Sequence, residues 1–100
     1  MSRLPRRFKV GGASYRIHLT NLKQKKLMGL FRPAKQDILL DGSLTPLDAS
    51  FTLLHEAIHA VDDTLGIDLD EAQTERVAIV LAALVADNKE LLRWLMERLG

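Results

Sequence analysis

The sequence contains no cysteine. A disulfide framework and a thiolate metal site are therefore both excluded, and any bound metal must be held by histidine and carboxylate side chains. Long apolar runs are also absent: the longest, residues 77–86, has ten residues, whereas a membrane-spanning helix needs about 20. The basic N-terminus leads into no apolar segment of the kind that follows in signal peptides. We therefore expect a cytoplasmic protein without a membrane segment.

Acidic residues are missing from the first third of the chain. Residues 1–36 contain ten Lys and Arg and no Asp or Glu, whereas residues 37–100 contain all thirteen acids and four bases. Such an asymmetry is typical of a surface that binds nucleic acid or an acidic partner. It is also explained by a basic sheet that complements acidic helices, and both interpretations stay open.

The length and composition describe one domain. The chain has 100 residues, of which 47% are hydrophobic and 27% charged, and this is enough for one modest core. We therefore treat residues 1–100 as a single domain, without repeats or a linker.

The first half of the chain predicts extended structure. Apolar residues alternate on both sides of a Gly-Gly pair, which predicts strands near 7–10 and 14–20 joined by a hairpin turn. Residues 21–32 predict a short helical turn that gives way to an extended piece at Gly29. Residues 34–41 predict a further strand, closed by a Gly-Ser turn.

The second half predicts three helices, over residues 46–64, 71–86 and 89–99. Their predicted N-cap residues are Thr45, Asp70 and Asn88. The fold class is therefore α+β, with an antiparallel or mixed sheet of about three strands followed by three helices.

The chemistry of the chain is concentrated in the decapeptide 52–61, which contains the pattern HExxH. Positions i and i+4 of an α-helix lie on one face about a turn apart, so His55 and His59 can direct their ring nitrogens at one cation. Glu56 projects about 100° further round the helix. It can therefore flank a metal without binding it, as a general base for a metal-activated water must. The pattern predicts a zinc hydrolase.

The context of the motif agrees with this hypothesis. A chance match in a chain of this length has a probability of about 0.2%. The histidines are predicted on the polar face of an amphipathic helix. The apolar face is predicted to consist of Leu47, Phe51, Leu54, Ile58, Val61 and Leu65.

The decapeptide resembles the extended metal-binding pattern of the zincin metallopeptidases, with Thr52 before the HExxH core, uncharged Ala57 and Ile58 within it, and apolar Val61 after it. Over residues 27–88 the layout is similar to that of small phage and bacterial ImmA/IrrE-like metallopeptidases and of minigluzincins. The resemblance implies a minimal zincin-like fold and a zinc-dependent peptidase. It also implies that residues 36–40 form a sheet edge that pairs with an extended peptide.

A third protein ligand is expected for a catalytic zinc. As in gluzincins, the resemblance implies an acidic residue on the following helix. Glu75 is our first candidate, because it shares a stripe of small apolar residues where a carboxylate would need a cationic partner. Glu71 is the second. Further alternatives are Asp63, Asp68 and Asp70, or no third protein ligand.

Other residues are candidates for supporting roles. Asp62 or Asp63, three and four residues after His59, could accept the outer N–H of that imidazole and set its tautomer. The segment after the third ligand contains no Tyr or His. A second donor to the oxyanion must then come from elsewhere, and the candidates are Tyr15, His18 and Arg76.

The function predicted from these residues is peptide-bond hydrolysis, with zinc held by His55, His59 and Glu75 and with Glu56 as general base. The resemblance implies an intracellular protein target, for example a DNA-bound repressor. Two alternatives belong to other classes. One is a catalytically idle zinc-binding or interaction module. The other is a nucleic-acid-associated module that uses Arg3, Arg6, Arg7, Lys23, Lys25 and Lys26.

Overall fold

The computed structural model describes residues 4–100, so the predicted nucleic-acid contact Arg3 lies outside the described residues. A four-stranded mixed sheet precedes three helices. The strands are β1 (Arg7–Val10), β2 (Ala13–Thr20), β3 (Gly29–Arg32) and β4 (Asp37–Asp41). The helices are α1 (Pro46–Leu65), α2 (Glu71–Asp87) and α3 (Lys89–Leu99). The predicted α+β class is confirmed, and the extended piece predicted at Gly29 supplies the fourth strand.

The order of strands is β1-β2-β4-β3. β4 runs parallel to β2 and antiparallel to β3, so both of its edges are paired. The expectation that residues 36–40 form an open sheet edge is therefore wrong. The physical reason is the 3₁₀ turn Pro33–Lys35, which folds β3 and β4 into a tight antiparallel pair and leaves β3 outermost. The free edge next to the helices belongs to Gly29–Arg32.

Local signals explain where most elements begin and end. Gly11 has a φ of +55° in the β1–β2 turn, a conformation that glycine adopts without strain. The Thr45 hydroxyl accepts a hydrogen bond from the Asp48 N–H at 3.1 Å, which caps α1. Asp70 and Gln73 form a reciprocal capping box at the start of α2. Asn88 does not cap α3 as predicted, because its side chain donates back to the carbonyl of Leu84.

α1 packs across one face of the sheet. Its Leu53 and Ala57 contact a core formed by Ile17, Ile38 and Leu40. The helix side nearest the sheet also includes Glu56 and Ala60, which are both buried. This differs from the predicted apolar face, of which Ile58 is buried whereas Leu47, Phe51 and Leu65 are exposed. A helical wheel identifies the apolar residues but does not say which of them meet the sheet.

The other two helices are packed more loosely. α2 lies against α1 and buries Thr74 and Ala78, whereas α3 contacts α2 and buries no residue. Within residues 4–100, no helix is both long enough and apolar enough to cross a membrane. The firmest part of the molecule is therefore the sheet with α1, and this unit carries the HExxH motif.

Candidate metal centre

The two histidines of α1 converge as their spacing predicts. The Nε2 atoms of His55 and His59 are 3.1 Å apart, and the ring centroids are separated by 4.8 Å. Both side chains are partly buried, with exposed fractions of 18% and 25%. They are less exposed than a polar helix face would make them, because α2 passes alongside.

Glu71, in the first turn of α2, completes the cluster. One of its carboxylate oxygens lies 2.6 Å from His55 Nε2, and the other lies 3.2 Å from His59 Nε2. Within the described residues, the group that could hold a metal consists of His55, His59 and Glu71. Two ligands of a tetrahedral zinc with bonds near 2.0–2.1 Å are about 3.3 Å apart. The three side chains therefore fit a zinc-sized cation after small movements, and their donor types suit one.

Glu75, the first candidate for the third ligand, lies beside the other ring nitrogen of His55. Its carboxylate is 2.9 Å from His55 Nδ1. A carboxylate at Nδ1 favours the tautomer that carries its proton there and leaves the Nε2 lone pair free for a metal. In this geometry, Glu71 is placed to act as the ligand and Glu75 to orient His55.

The charge on Glu71 is maintained by its neighbours. Partial burial raises the pKa of Glu71, but the hydrogen bond with His55 and the attraction of both imidazoles outweigh it, so that the pKa lies below its usual value. Glu71 is therefore ionised at neutral pH, as a metal ligand must be.

The loop between α1 and α2 sets the position of Glu71. Asp62 accepts hydrogen bonds from the backbone N–H groups of Asp68 and Leu69. Asp62 therefore binds the loop and not His59. The predicted hydrogen bond from the His59 imidazole to Asp62 is not observed. Asp63 is exposed, and Asp70 caps α2. Neither they nor Asp68 join the group of converging side chains.

Glu56 lies beside the histidines but points into the interface between α1 and the sheet. It is 9% exposed. Burial raises the pKa of Glu56, and the nearby His59 and His55 and the N–H of Phe31 oppose that effect only in part. A buried carboxylate with a raised pKa, next to a cluster of metal-ligating groups, is typical of a general base.

Gly29 is the reason that Glu56 can approach the edge strand. A Cβ atom at this position would lie 2.6 Å from Thr52 Cγ2, 3.2 Å from Glu56 Cγ and 3.3 Å from the carbonyl oxygen of Leu39. Only glycine permits this close approach of β3 to α1. The sequence pattern predicts only the end of a helical turn at Gly29, because the close approach of β3 to α1 is a tertiary contact.

These groups line a cleft of about 570 Å³ between β3, α1 and α2. Apolar contributions come from Leu27, Met28, Phe51 and Ile79. Lys26 is the cation among the described lining residues, whereas the sequence pattern places it only in a basic cluster with Lys23 and Lys25.

The three residues predicted as oxyanion donors lie elsewhere. The hydroxyl of Tyr15 is buried against Thr64, with which it shares a hydrogen bond of 2.5 Å. His18 lies 3.8 Å from Asp37 on the sheet face opposite α1. Neither these two nor Arg76 lines the cleft.

Comparison with protein-family models, with curated proteins and with solved structures finds no match to this chain. The case for a function therefore depends on the chain's own residues.

Proposed function

We propose that the protein is a metal-dependent hydrolase of the HExxH type, which cleaves peptide bonds and is built on a minimal zincin-like fold. One observation carries the proposal: His55, His59 and Glu71 converge within one cleft, next to the buried carboxylate of Glu56. Structural histidine clusters do not require a buried acid at their side, whereas metal-assisted hydrolysis of the HExxH type uses a carboxylate there as general base.

The proposed ligands are His55 Nε2, His59 Nε2 and the Glu71 carboxylate, with zinc as the metal. The sequence favours Glu75 as the third ligand, and the contact between Glu75 and His55 Nδ1 supports an orienting role for it instead. A zinc ion held by these residues would supply Lewis acidity toward water and a carbonyl group.

Glu56 is the proposed general base. Its carboxylate accepts a proton from the attacking water and delivers it to the leaving amine nitrogen. Burial against β3 prepares the group for this task, because a raised pKa makes the carboxylate a stronger base and later a suitable acid. Lys26, which lines the same cleft, is the proposed second donor to the carbonyl oxygen.

The free edge of β3 supports a peptide as the substrate. β3 is the outermost strand next to the cleft, and residues 27–30 line the cleft directly. An extended peptide that adds to this edge would pass the metal ligands with its backbone hydrogen-bonded. Because the chain contains no cysteine, we propose that the protein acts in the cytoplasm. The zincin resemblance favours a partner protein, such as a repressor, as the target.

Metal analysis tests the ligand set. The purified protein should bind about one zinc per chain. His59→Ala and Glu71→Gln should each weaken zinc binding by more than about 100-fold, whereas loss of an orienting group such as Glu75 costs about 10- to 100-fold. A larger loss in Glu75→Gln than in Glu71→Gln would assign the third ligand to Glu75. No zinc binding by the parent protein would end the proposal.

Peptide hydrolysis tests the activity separately. A quenched fluorescent peptide library should be cleaved by the zinc-loaded protein and not after chelation, and the loss should be reversed by added zinc. The zinc-loaded Glu56→Gln variant is the matched control, because it differs by one atom type and retains all metal ligands. Equal cleavage by parent and variant would indicate a contaminant. Zinc binding without cleavage of any peptide would favour the idle metal-binding module.

A further inference from the structure

The sheet face opposite α1 carries a row of cationic side chains. In register across the sheet, Arg7 of β1 is opposite Arg16 of β2, Arg16 is opposite Asp37 of β4, and Asp37 is opposite Arg32 of β3. Lys9 lies on the same face, two residues beyond Arg7. Within residues 4–100, Arg7, Lys9 and Arg16 are exposed. We call this surface the open face, and we define it by Arg7, Lys9, Arg16, Arg32 and Asp37.

The acids beneath this face are already engaged. Arg32 donates two hydrogen bonds to Asp37, at 2.7 and 2.6 Å, and holds the pKa of that carboxyl below its usual value. Asp41 accepts hydrogen bonds from the Leu22 N–H and the Ser43 hydroxyl. Both carboxylates are buried. The charge presented to solvent is therefore almost entirely positive.

Stability alone does not explain Arg7 and Arg16. Like charges directly opposite each other on neighbouring strands are destabilising. Among the salt bridges of the described residues, none includes either arginine. Two surface depressions, of about 690 and 330 Å³, share Arg7 and Arg16 in their linings. Arg7 and Arg16 thus lie between two concave surfaces, where a polyanion could contact both side chains.

The position of the aromatic residues indicates which polyanion fits. Phe8, Tyr15 and Phe31 pack together on the sheet face that α1 covers. The aromatic ring on the open face is the imidazole of His18, which lies 3.8 Å from Asp37. Phe, Tyr and Trp, which form platforms for unpaired bases and anchors of protein interfaces, are not among the residues of β1–β4 on this face. The planar guanidinium group of arginine can donate two parallel hydrogen bonds to phosphate oxygens. We propose that the open face binds the phosphate backbone of double-stranded nucleic acid, independently of base sequence.

This surface is separate from the metal centre. The open face looks away from α1, whereas the cleft lies between β3, α1 and α2. Duplex binding and metal binding should therefore be independent. The proposal does not depend on the hydrolase function, and the loss of one property would leave the other intact.

Fluorescence anisotropy with a labelled 20-base-pair DNA duplex tests the proposal. If about four phosphates are contacted, raising the salt from 50 to 200 mM should weaken binding by about 100-fold. The double substitution Arg7→Gln/Arg16→Gln should reduce the slope of log K against log salt by about 1.8 and weaken binding at least tenfold at 50 mM salt. The unfolding temperature of this variant should equal or exceed that of the parent, because both side chains are exposed and their mutual repulsion is removed. Its zinc binding should match that of the parent.

The control Lys89→Gln/Arg93→Gln makes the same change in charge on α3, which packs against α2. It should weaken duplex binding by no more than about threefold. A loss equal to that of the arginine variant would overturn the assignment to the open face, and so would the absence of duplex binding at 50 mM salt. Tighter binding of the single strand, or equal displacement by polyglutamate at the same charge concentration, would overturn the choice of a duplex backbone. Unchanged binding by His59→Ala would support the independence of the two sites.

Discussion

The two helices that form the metal centre contribute unequal halves. The α1 half consists of His55, Glu56 and His59, and its three side chains are buried or mostly buried against the sheet and α2. The α2 half consists of Glu71 and Glu75, whose side chains are 73% and 61% exposed. One half is held by a core, and the other depends on a loop and on the contact between two helices.

The two halves would contribute differently to binding a metal. The α1 half is preformed, because its spacing is set by one helix whose other side meets the core. Glu71 must be held in place by α2, whose buried residues are only Thr74 and Ala78. We therefore expect a bound metal to act as a cross-link between the halves and to stabilise α2 more than the sheet.

The largest effect expected in the α1 half comes from Glu56→Gln. Removal of a general base lowers the rate of hydrolysis by about 10²- to 10⁴-fold. Zinc affinity should stay near that of the parent, because Glu56 is not a proposed ligand. The check is a steady-state assay of zinc-loaded proteins, with the metal content of each variant measured in the same samples. A similar loss of rate and of metal together would mean that Glu56 acts on the metal site as a whole.

The same substitution should stabilise the metal-free protein. Burial raises the folded-state pKa of Glu56 above its unfolded value, so the ionised carboxylate opposes folding when the pH is above the folded pKa, and this penalty disappears below the unfolded pKa. Glu56→Gln should therefore unfold at a higher temperature at pH 8, and the difference should shrink as the pH falls toward 4. A difference that does not change with pH would point to packing, not ionisation.

A smaller effect is expected where the α1 half meets the edge strand. Gly29→Ala places a methyl group 2.6 Å from Thr52 Cγ2, and overpacking of this kind costs about 1–3 kcal/mol of unfolding free energy. Thr52→Ser removes the contacting methyl group, so the double variant should recover part of the loss. Gly12→Ala is the control, because a Cβ there meets nothing within 4 Å. Denaturant unfolding measures the stability of the parent, Gly29→Ala, Thr52→Ser, the double variant and Gly12→Ala. Equal stability of Gly29→Ala and the parent would show that β3 can move away from α1.

The α1 half of the site could be predicted from sequence because its geometry is local. An i, i+4 pair on a helix needs no tertiary information, and the caps at Thr45 and Asp70 are likewise local signals. The burial of Glu56 was not predicted. Helical periodicity places the apolar residues of α1 on one side of the helix. The side that packs against the sheet is rotated from it and includes the Glu56 carboxylate.

The α2 half could not be resolved from sequence for a physical reason. Glu71 and Glu75 are one turn apart on the same helix, so the two differ mainly in how far α2 is shifted along α1. That shift is set by the loop, including the left-handed conformations of Gly66 and Asp68. The sheet edge was missed for a related reason: the order of strands depends on the tight turn before β4, and the strand pattern alone does not encode it.

The smallest effect tests the loop that joins the halves. Asp62, one turn after His59 on α1, accepts the N–H groups of Asp68 and Leu69 and so fixes the approach to Glu71. Asp62→Ala should weaken zinc binding by about tenfold, as loss of a supporting hydrogen bond does. Its neighbour Asp63 is exposed, and Asp63→Ala is the matched control.

Calorimetric titration of both variants with zinc separates a positioning role from a charge effect. Each variant removes one carboxylate near the cluster, so a general loss of negative charge would weaken binding in both to a similar degree. A loss confined to Asp62→Ala would mean that the loop positions Glu71. In that case the α2 half is held in place by α1 itself, and the two halves of the site are joined by a side chain that touches neither the metal ligands nor the substrate.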